Sequence, residues 1–160
     1  MNRVVFLDYD GVVNTYREYD YGNGPELRYG WPSDNVVNNR RAVEILNELY
    51  QLYPFDIVVS SSWREESNYK ECLYNGGLNP EIKVIGATPT LQWRNRDQEI
   101  MKWVNDNDFK GSFVVFDDEP YLFETSSLKL PLVLVSPDYG LSRKSLKKAI
   151  RYFRLQEGEI

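Results

Sequence analysis

The sequence contains no histidine, and Cys72 is its single cysteine in 160 residues. Without histidine, Ser–His and Cys–His nucleophile systems are excluded, along with the most common zinc ligand. With one cysteine, neither an internal disulfide nor a cysteine-built zinc site can form. Long apolar runs are also missing. Near the N-terminus the run from Val4 to Leu7 falls far short of a signal-peptide core or a membrane span, so the expectation is a cytoplasmic chain with no membrane partner. There is no excess of positive charge either. The formal net charge is -5, and extended, nonspecific binding of nucleic acid requires a basic surface. A phosphorylated ligand is still allowed, because a bound cation can reverse the sign of a local site. Chemistry on this chain must therefore run on carboxylates, hydroxyls, Lys, Arg and a hard cation.

The length suits a single domain over residues 1–160, with one substantial core. Five short apolar runs read as strands: Val4 to Leu7, Ile57 to Val59, Ile82 to Ile85, Phe113 to Phe116 and Leu132 to Val135. They lack polar alternation, as strands of a parallel sheet covered on both faces do. Helical spacing lies between them: Val36, Val43, Leu46, Leu49 and Tyr53 share one face, Ile100, Trp103 and Val104 another, and Leu146, Ala149, Ile150 and Phe153 a third. Ser142 is placed to cap the last of these helices. The alternation predicts an α/β fold of three layers, Rossmann-like, around a mostly parallel five-stranded sheet. Residues 15–34, rich in glycine and aromatics, read as a flap or small loop insertion.

The ends of the strands carry the chemistry. "FLDYDGVVN" places Asp8 and Asp10 after the first strand, "IVVSSSW" places Ser60, Ser61 and Ser62 after the second, and "FVVFDDE" places Asp117 and Asp118 after the fourth. Each piece alone reads as turn or cap material. Together, a parallel sheet brings them to one edge, where open α/β sheets bind ligands. Four carboxylates gathered there repel one another unless protonated or neutralised. An all-oxygen cluster favours Mg²⁺, which takes carboxylates, waters and a substrate phosphate.

In order and spacing, these three segments resemble the first, second and fourth motifs of the haloacid-dehalogenase-like (HAD) superfamily. The stretch "IGATPTLQWRNRDQEIMKWV" is similar to the region that carries the third. The resemblance spans roughly residues 3–136, and within the superfamily the chain looks most like small phosphatase-type domains without a large cap, such as those of RNA-repair proteins. It implies that Asp8 is the nucleophile and becomes an aspartyl phosphate. Asp10 would then protonate the leaving oxygen and later activate water. Mg²⁺ would sit on the Asp8 carboxylate, the Asp10 main-chain carbonyl and Asp117 or Asp118. Either Ser60 or Ser61 would bind the phosphoryl oxygens through its hydroxyl. For the third-motif cation Arg96 is preferred, at the start of a helix where a positive charge opposes the dipole; Arg94 and Lys102 are the alternatives.

The segment after Asp10 is too short for an independently folded cap. An open site follows, suited to a phosphorylated small molecule or a nucleic-acid end. Tyr16, Tyr19, Tyr21, Tyr29 and Trp31, with Arg17 and Arg28, could stack on a base there or close the edge of the core; Trp63 and Arg64 would line the same cleft. Two rival readings are a binding or regulatory domain with little turnover and a phospho-accepting receiver domain. The intact aspartate set opposes the first. The order of the motifs opposes the second, because receivers carry their acidic pair early and the accepting aspartate later.

Overall fold

The computed structural model describes residues 2–15, 39–92, 95–124 and 129–160, together with the backbone of 18–20 and 24–26. In chain order the elements are β1 (Arg3–Leu7), a ribbon of β2 (Glu18–Asp20) and β3 (Gly24–Glu26), α1 (Arg40–Leu52), β4 (Asp56–Val59), α2 (Tyr69–Asn75), β5 (Val84–Ala87), α3 (Arg96–Asp106), β6 (Ser112–Asp117), β7 (Leu132–Leu134) and α4 (Arg143–Gln156). Short 3₁₀ turns cover Ser62–Glu65 and Pro120–Phe123. Five strands form one sheet in the order β5-β4-β1-β6-β7, every neighbouring pair parallel. This is a Rossmann-like order, and the connections change direction between β1 and β6.

Side chains alternate along the three central strands and feed two cores. Val5, Leu7, Ile57, Val59, Val114 and Phe116 pack in the layer that holds α1 and α4. Val4, Phe6, Val58 and Val115 pack instead with Ile100 of α3. On that side the Phe6 ring meets Trp103 and Phe113 edge-on, each with centroids 5.4 Å apart. Edge-on pairing sets the positive rim of one ring against the negative face of another, which fixes the packing more tightly than area alone does.

Side-chain caps set the starts of two helices. Asn39 caps α1 by accepting from the Arg41 and Ala42 amides, and its own amide donates to Val13 O. Ser142 and Ser145 form a reciprocal capping box at α4. Two expectations shift. The third strand runs Val84–Ala87 rather than Ile82 to Ile85, because Ile82 is buried in the turn that precedes it. The strand lies at the sheet edge and Ile85 is 46% exposed, so full coverage on both faces does not extend to it. The helix α2 was not anticipated, nor was the antiparallel pairing of β2 with β3. There is no large cap among the described residues: the chain between Thr15 and Asn39 is too short for one, and its described part is the two-stranded ribbon. Val36 lies outside the described residues. Among those described, no helix is long and apolar enough to cross a membrane.

Candidate active site

The alternation that sorts the cores also aims the polar groups. Counting on by twos from Phe6, Val58 and Val115 reaches Asp8, Ser60 and Asp117, all on the α3 side of the sheet. Asp8 directly follows β1 and Asp117 ends β6, so the pair flanks the switch point of the topology. Asp8 donates its amide to Phe116 O at 3.1 Å, which holds the two strand ends in register.

Asp8, Asp117 and Asp118 converge. One carboxylate oxygen from each lies within 4.8 Å of the others, and Asp8 and Asp117 are buried. The Asp8 and Asp118 carboxyls lie close enough for each to alter the other's hold on a proton. Burial raises the affinity of Asp8 for a proton, against the opposing charge of Arg96 and a hydrogen bond from Ser61. Asp117 is pushed up to about 8, first by burial and then by the charge of Asp8. Asp118 is pushed up to about 7 by the same two causes. The chain therefore crowds these acids more closely than their charges permit on their own.

Gly11 makes the crowding possible. Its φ of 77° lies in the left-handed region, and a Cβ at this position would overlap the Asp118 carboxylate. Only glycine allows both the turn and the approach.

Arg96, the first residue of α3, supplies the cation. Its Nη1 lies 2.8 Å from Asp117 Oδ2 and 3.3 Å from Asp8 Oδ1. Behind it stands Glu99, 1% exposed, with Oε2 at 3.9 Å from Arg96 Nε and 3.0 Å from Arg64 Nη2. Arg64 donates further to Thr90 Oγ1 and the Ser61 carbonyl, while Glu99 accepts from the Leu91 amide. Ionised, Asp8, Asp117, Asp118 and Glu99 outnumber Arg64 and Arg96 by two charges, which is what one divalent cation neutralises. The three clustered aspartates are hard oxygen donors at close quarters and could hold such an ion.

Asp10 stands apart from the three. It is exposed, and its Oδ1 accepts from Trp63 Nε1 at 3.0 Å and from Asn14 Nδ2 at 3.1 Å. The expected gathering of four carboxylates is thus a gathering of three, because two N–H donors hold the fourth side chain in the turn. The two serine candidates also separate. Ser61 hydrogen-bonds Asp8 and accepts from the Trp63 amide, whereas Ser60 Oγ is buried without a hydrogen-bond partner among the described residues. Lys102 is half-exposed on α3 and pairs with Asp106 at 2.8 Å, away from the cluster. Arg94 lies outside the described residues, as do Tyr16, Arg17, Tyr21, Arg28, Tyr29 and Trp31; of Tyr19 only the backbone is described.

One group at the site was not singled out from sequence. Glu99 reads there as an ordinary polar helix residue; its spacing of three from Arg96 was the available signal. Arg64, expected to line the cleft, is instead 8% exposed in its side chain and committed to Glu99.

No curated protein and no solved structure matches the chain. A family match covers residues 4–146, from the first strand into the last helix. With the strand order, the switch point and the three aspartates already in place, that span assigns the chain to the family described as the HAD domain in Swiss Army Knife RNA repair proteins.

Proposed function

We propose that this domain, one unit over residues 1–160 with 15–34 as a flap, is a Mg²⁺-dependent phosphomonoester hydrolase that works through an aspartyl phosphate on Asp8. The observation that carries this reading is the meeting of Asp8, Asp117, Asp118, Ser61 and Arg96 at the topological switch point. Asp8, Asp117 and Asp118, with the Asp10 main-chain carbonyl, would hold the ion. When bound, it neutralises the carboxylates and the substrate phosphate, so that one anion can approach another.

The residues divide the remaining work. The Asp8 carboxylate attacks phosphorus, forming an acyl phosphate as the bond to the leaving oxygen breaks. Asp10 gives its proton to that oxygen, then takes one from the water that attacks the acyl phosphate, returning both aspartates to their starting states. Ser61 and Arg96 offer O–H and N–H groups to the phosphoryl oxygens, where negative charge is spread in the transition state. Ser60, hydroxyl-bearing and adjacent, is the alternative donor. The family's description points to phosphorylated ends of RNA or nucleotides as the substrate class, and an uncapped site suits a bulky phosphate ester. The proposed setting is the cytoplasm, without a membrane partner.

Phosphate release from a panel of nucleoside monophosphates and 3′- or 5′-phosphorylated oligoribonucleotides tests this directly. Turnover with Mg²⁺ that stops in EDTA, and protein-bound phosphate released by hydroxylamine, are the expected results. An absence of metal-dependent turnover across the panel would leave a binding domain as the better reading.

A further inference from the structure

Resting on the phosphatase reading, we propose that Trp63 is the positioning residue for Asp10, assigning the two carboxyl oxygens of Asp10 to different tasks. The indole N–H of Trp63 donates to Asp10 Oδ1 at 3.0 Å, and Asn14 Nδ2 donates to the same oxygen at 3.1 Å. No described group donates to Oδ2. An oxygen that accepts two N–H bonds has little capacity left to carry a proton of its own. The transferable proton of Asp10 therefore resides on Oδ2, and the carboxyl plane is fixed by the donors on the other side.

Trp63 is well held for this task. It is 5% exposed, its ring packs on Tyr9 with centroids 5.7 Å apart, and its amide donates to Ser61 Oγ at 3.3 Å. Tyr9 is fixed in turn by its hydroxyl bond to Tyr69 O. Indole has one donor and no acceptor, so the bond to Asp10 has a single polarity. Asp10 itself is exposed, and without the indole its carboxyl would sample several rotamers in water. When the P–O bond to the leaving group breaks, the proton moves from Oδ2 to the departing oxygen. The carboxylate left behind keeps both N–H bonds on Oδ1, now charge-assisted and stronger.

The test uses the 160-residue chain with Mg²⁺ and two esters. The phenolate of p-nitrophenyl phosphate leaves without needing a proton, whereas the alkoxide of glycerol phosphate cannot. Trp63→Phe keeps the packing and removes the N–H. It should lower kcat/KM, which reports the steps up to departure of the leaving group, by about thirtyfold for glycerol phosphate and by less than about threefold for p-nitrophenyl phosphate. Asn14→Leu should show the same selectivity more weakly. In an Asp10→Asn background, Trp63→Phe should cost nothing further on the alkyl ester, because the two groups act as one unit.

Equal losses on both esters, or additive losses in the double variant, would assign Trp63 a structural role and overturn the proposal. If Trp63→Phe fails to fold, as circular dichroism would show, the decision passes to Asn14→Leu under the same criterion. If the wild type hydrolyses neither ester, the single and double variants are compared on the nucleotide and oligoribonucleotide panel, where additive losses overturn this role and an absence of turnover overturns the phosphatase reading.

Discussion

The two ends of the central sheet treat charge in opposite ways. At the N-terminal end of β1, Arg3 meets Glu157 through two hydrogen bonds of 2.6 and 2.7 Å, and Ser112 Oγ donates to the same carboxylate at 2.6 Å. The Arg3 guanidinium also lies over the Tyr53 ring, 5.0 Å from its centroid. Arg3 and Glu157 satisfy one another there, and the result ties β1 and β6 to the C-terminal end of α4. At the other end of the same strand, Asp8 faces two further acids with Arg96 as their nearby cation. One end satisfies its groups; the other leaves a negative surplus where a ligand can supply what is missing. The contrast separates a structural ion pair from a candidate reaction centre on grounds of charge balance.

The sharpest way to break the comparison is to neutralise one residue at each end. Asp8→Asn should lower phosphate release at least about a thousandfold, since the proposed nucleophile is gone. In EDTA at pH 8 it should raise the unfolding midpoint, because a crowded anion has been removed. Arg3→Met should do the reverse, costing about 1–2 kcal/mol of stability and leaving kcat within about twofold. Thermal or urea unfolding, with kcat measured on the same preparations, checks both halves. Loss of activity without loss of stability at one end, and the converse at the other, is the expected pattern.

The pH dependence should also differ in sign. Asp117 and Asp118 are raised to about 8 and about 7 in the metal-free fold, far above the value near 4 of an aspartate in an unfolded chain. Over that interval the folded state holds more protons than the unfolded state, so the contribution of these two acids to stability is fully present below about pH 4 and is lost as pH rises toward about 8. Glu157 behaves oppositely. Its carboxyl is held below the usual range by hydrogen bonding to Arg3, so its contribution is present above the unfolded glutamate value and is lost as pH falls through the lower folded one. In EDTA, the midpoint for the wild type should fall by about 5 °C between pH 5.5 and pH 8.5. Millimolar Mg²⁺ should restore most of it, by binding the ionised acids of the folded state alone. Glu157→Gln should flatten only the acid limb. Scanning calorimetry at matched ionic strength reads all three.

How much of this was legible in the sequence follows from what kind of signal each residue leaves. The strand-end aspartates were readable because a buried apolar run makes an adjacent Asp conspicuous, and a parallel sheet brings such ends together. The choice between Ser60 and Ser61 was not, because a one-residue shift reverses side-chain direction and the run "SSS" gives no register. In the fold β4 ends at Val59, and the 3₁₀ turn brings the Ser61 hydroxyl to Asp8. The withdrawal of Asp10 was hidden for a different reason. Its donor Trp63 is 53 residues away, and aromatic residues ordinarily read as core. Glu99 owes its place to Arg64, 35 residues distant, a partnership that no local pattern encodes. The 3₁₀ turn and its cap thus serve three acids through neighbouring side chains: Ser61 on Asp8, Trp63 on Asp10 and Arg64 on Glu99.

The smallest expected effect sharpens the comparison within one helix. Arg96 and Lys102 both lie on α3 and both were candidates for the third-motif cation, but their surroundings differ. The Arg96 side chain is 13% exposed and bridges two acids of the cluster; that of Lys102 is 47% exposed and pairs with Asp106 one turn along. An exposed pair of this kind is worth about 0.3–0.5 kcal/mol. Lys102→Ala should therefore change the unfolding free energy by less than about 0.5 kcal/mol and kcat by less than about twofold. Arg96→Lys retains the charge but loses the planar fork that lets one side chain address Asp8 and Asp117 together, and should lower kcat by at least about tenfold. Were Lys102→Ala the more damaging of the two in steady-state assays, the cation serving the phosphoryl group would have to come from the exposed face of α3. The charge balance drawn around Arg96 would then describe only how these side chains hold one another in place.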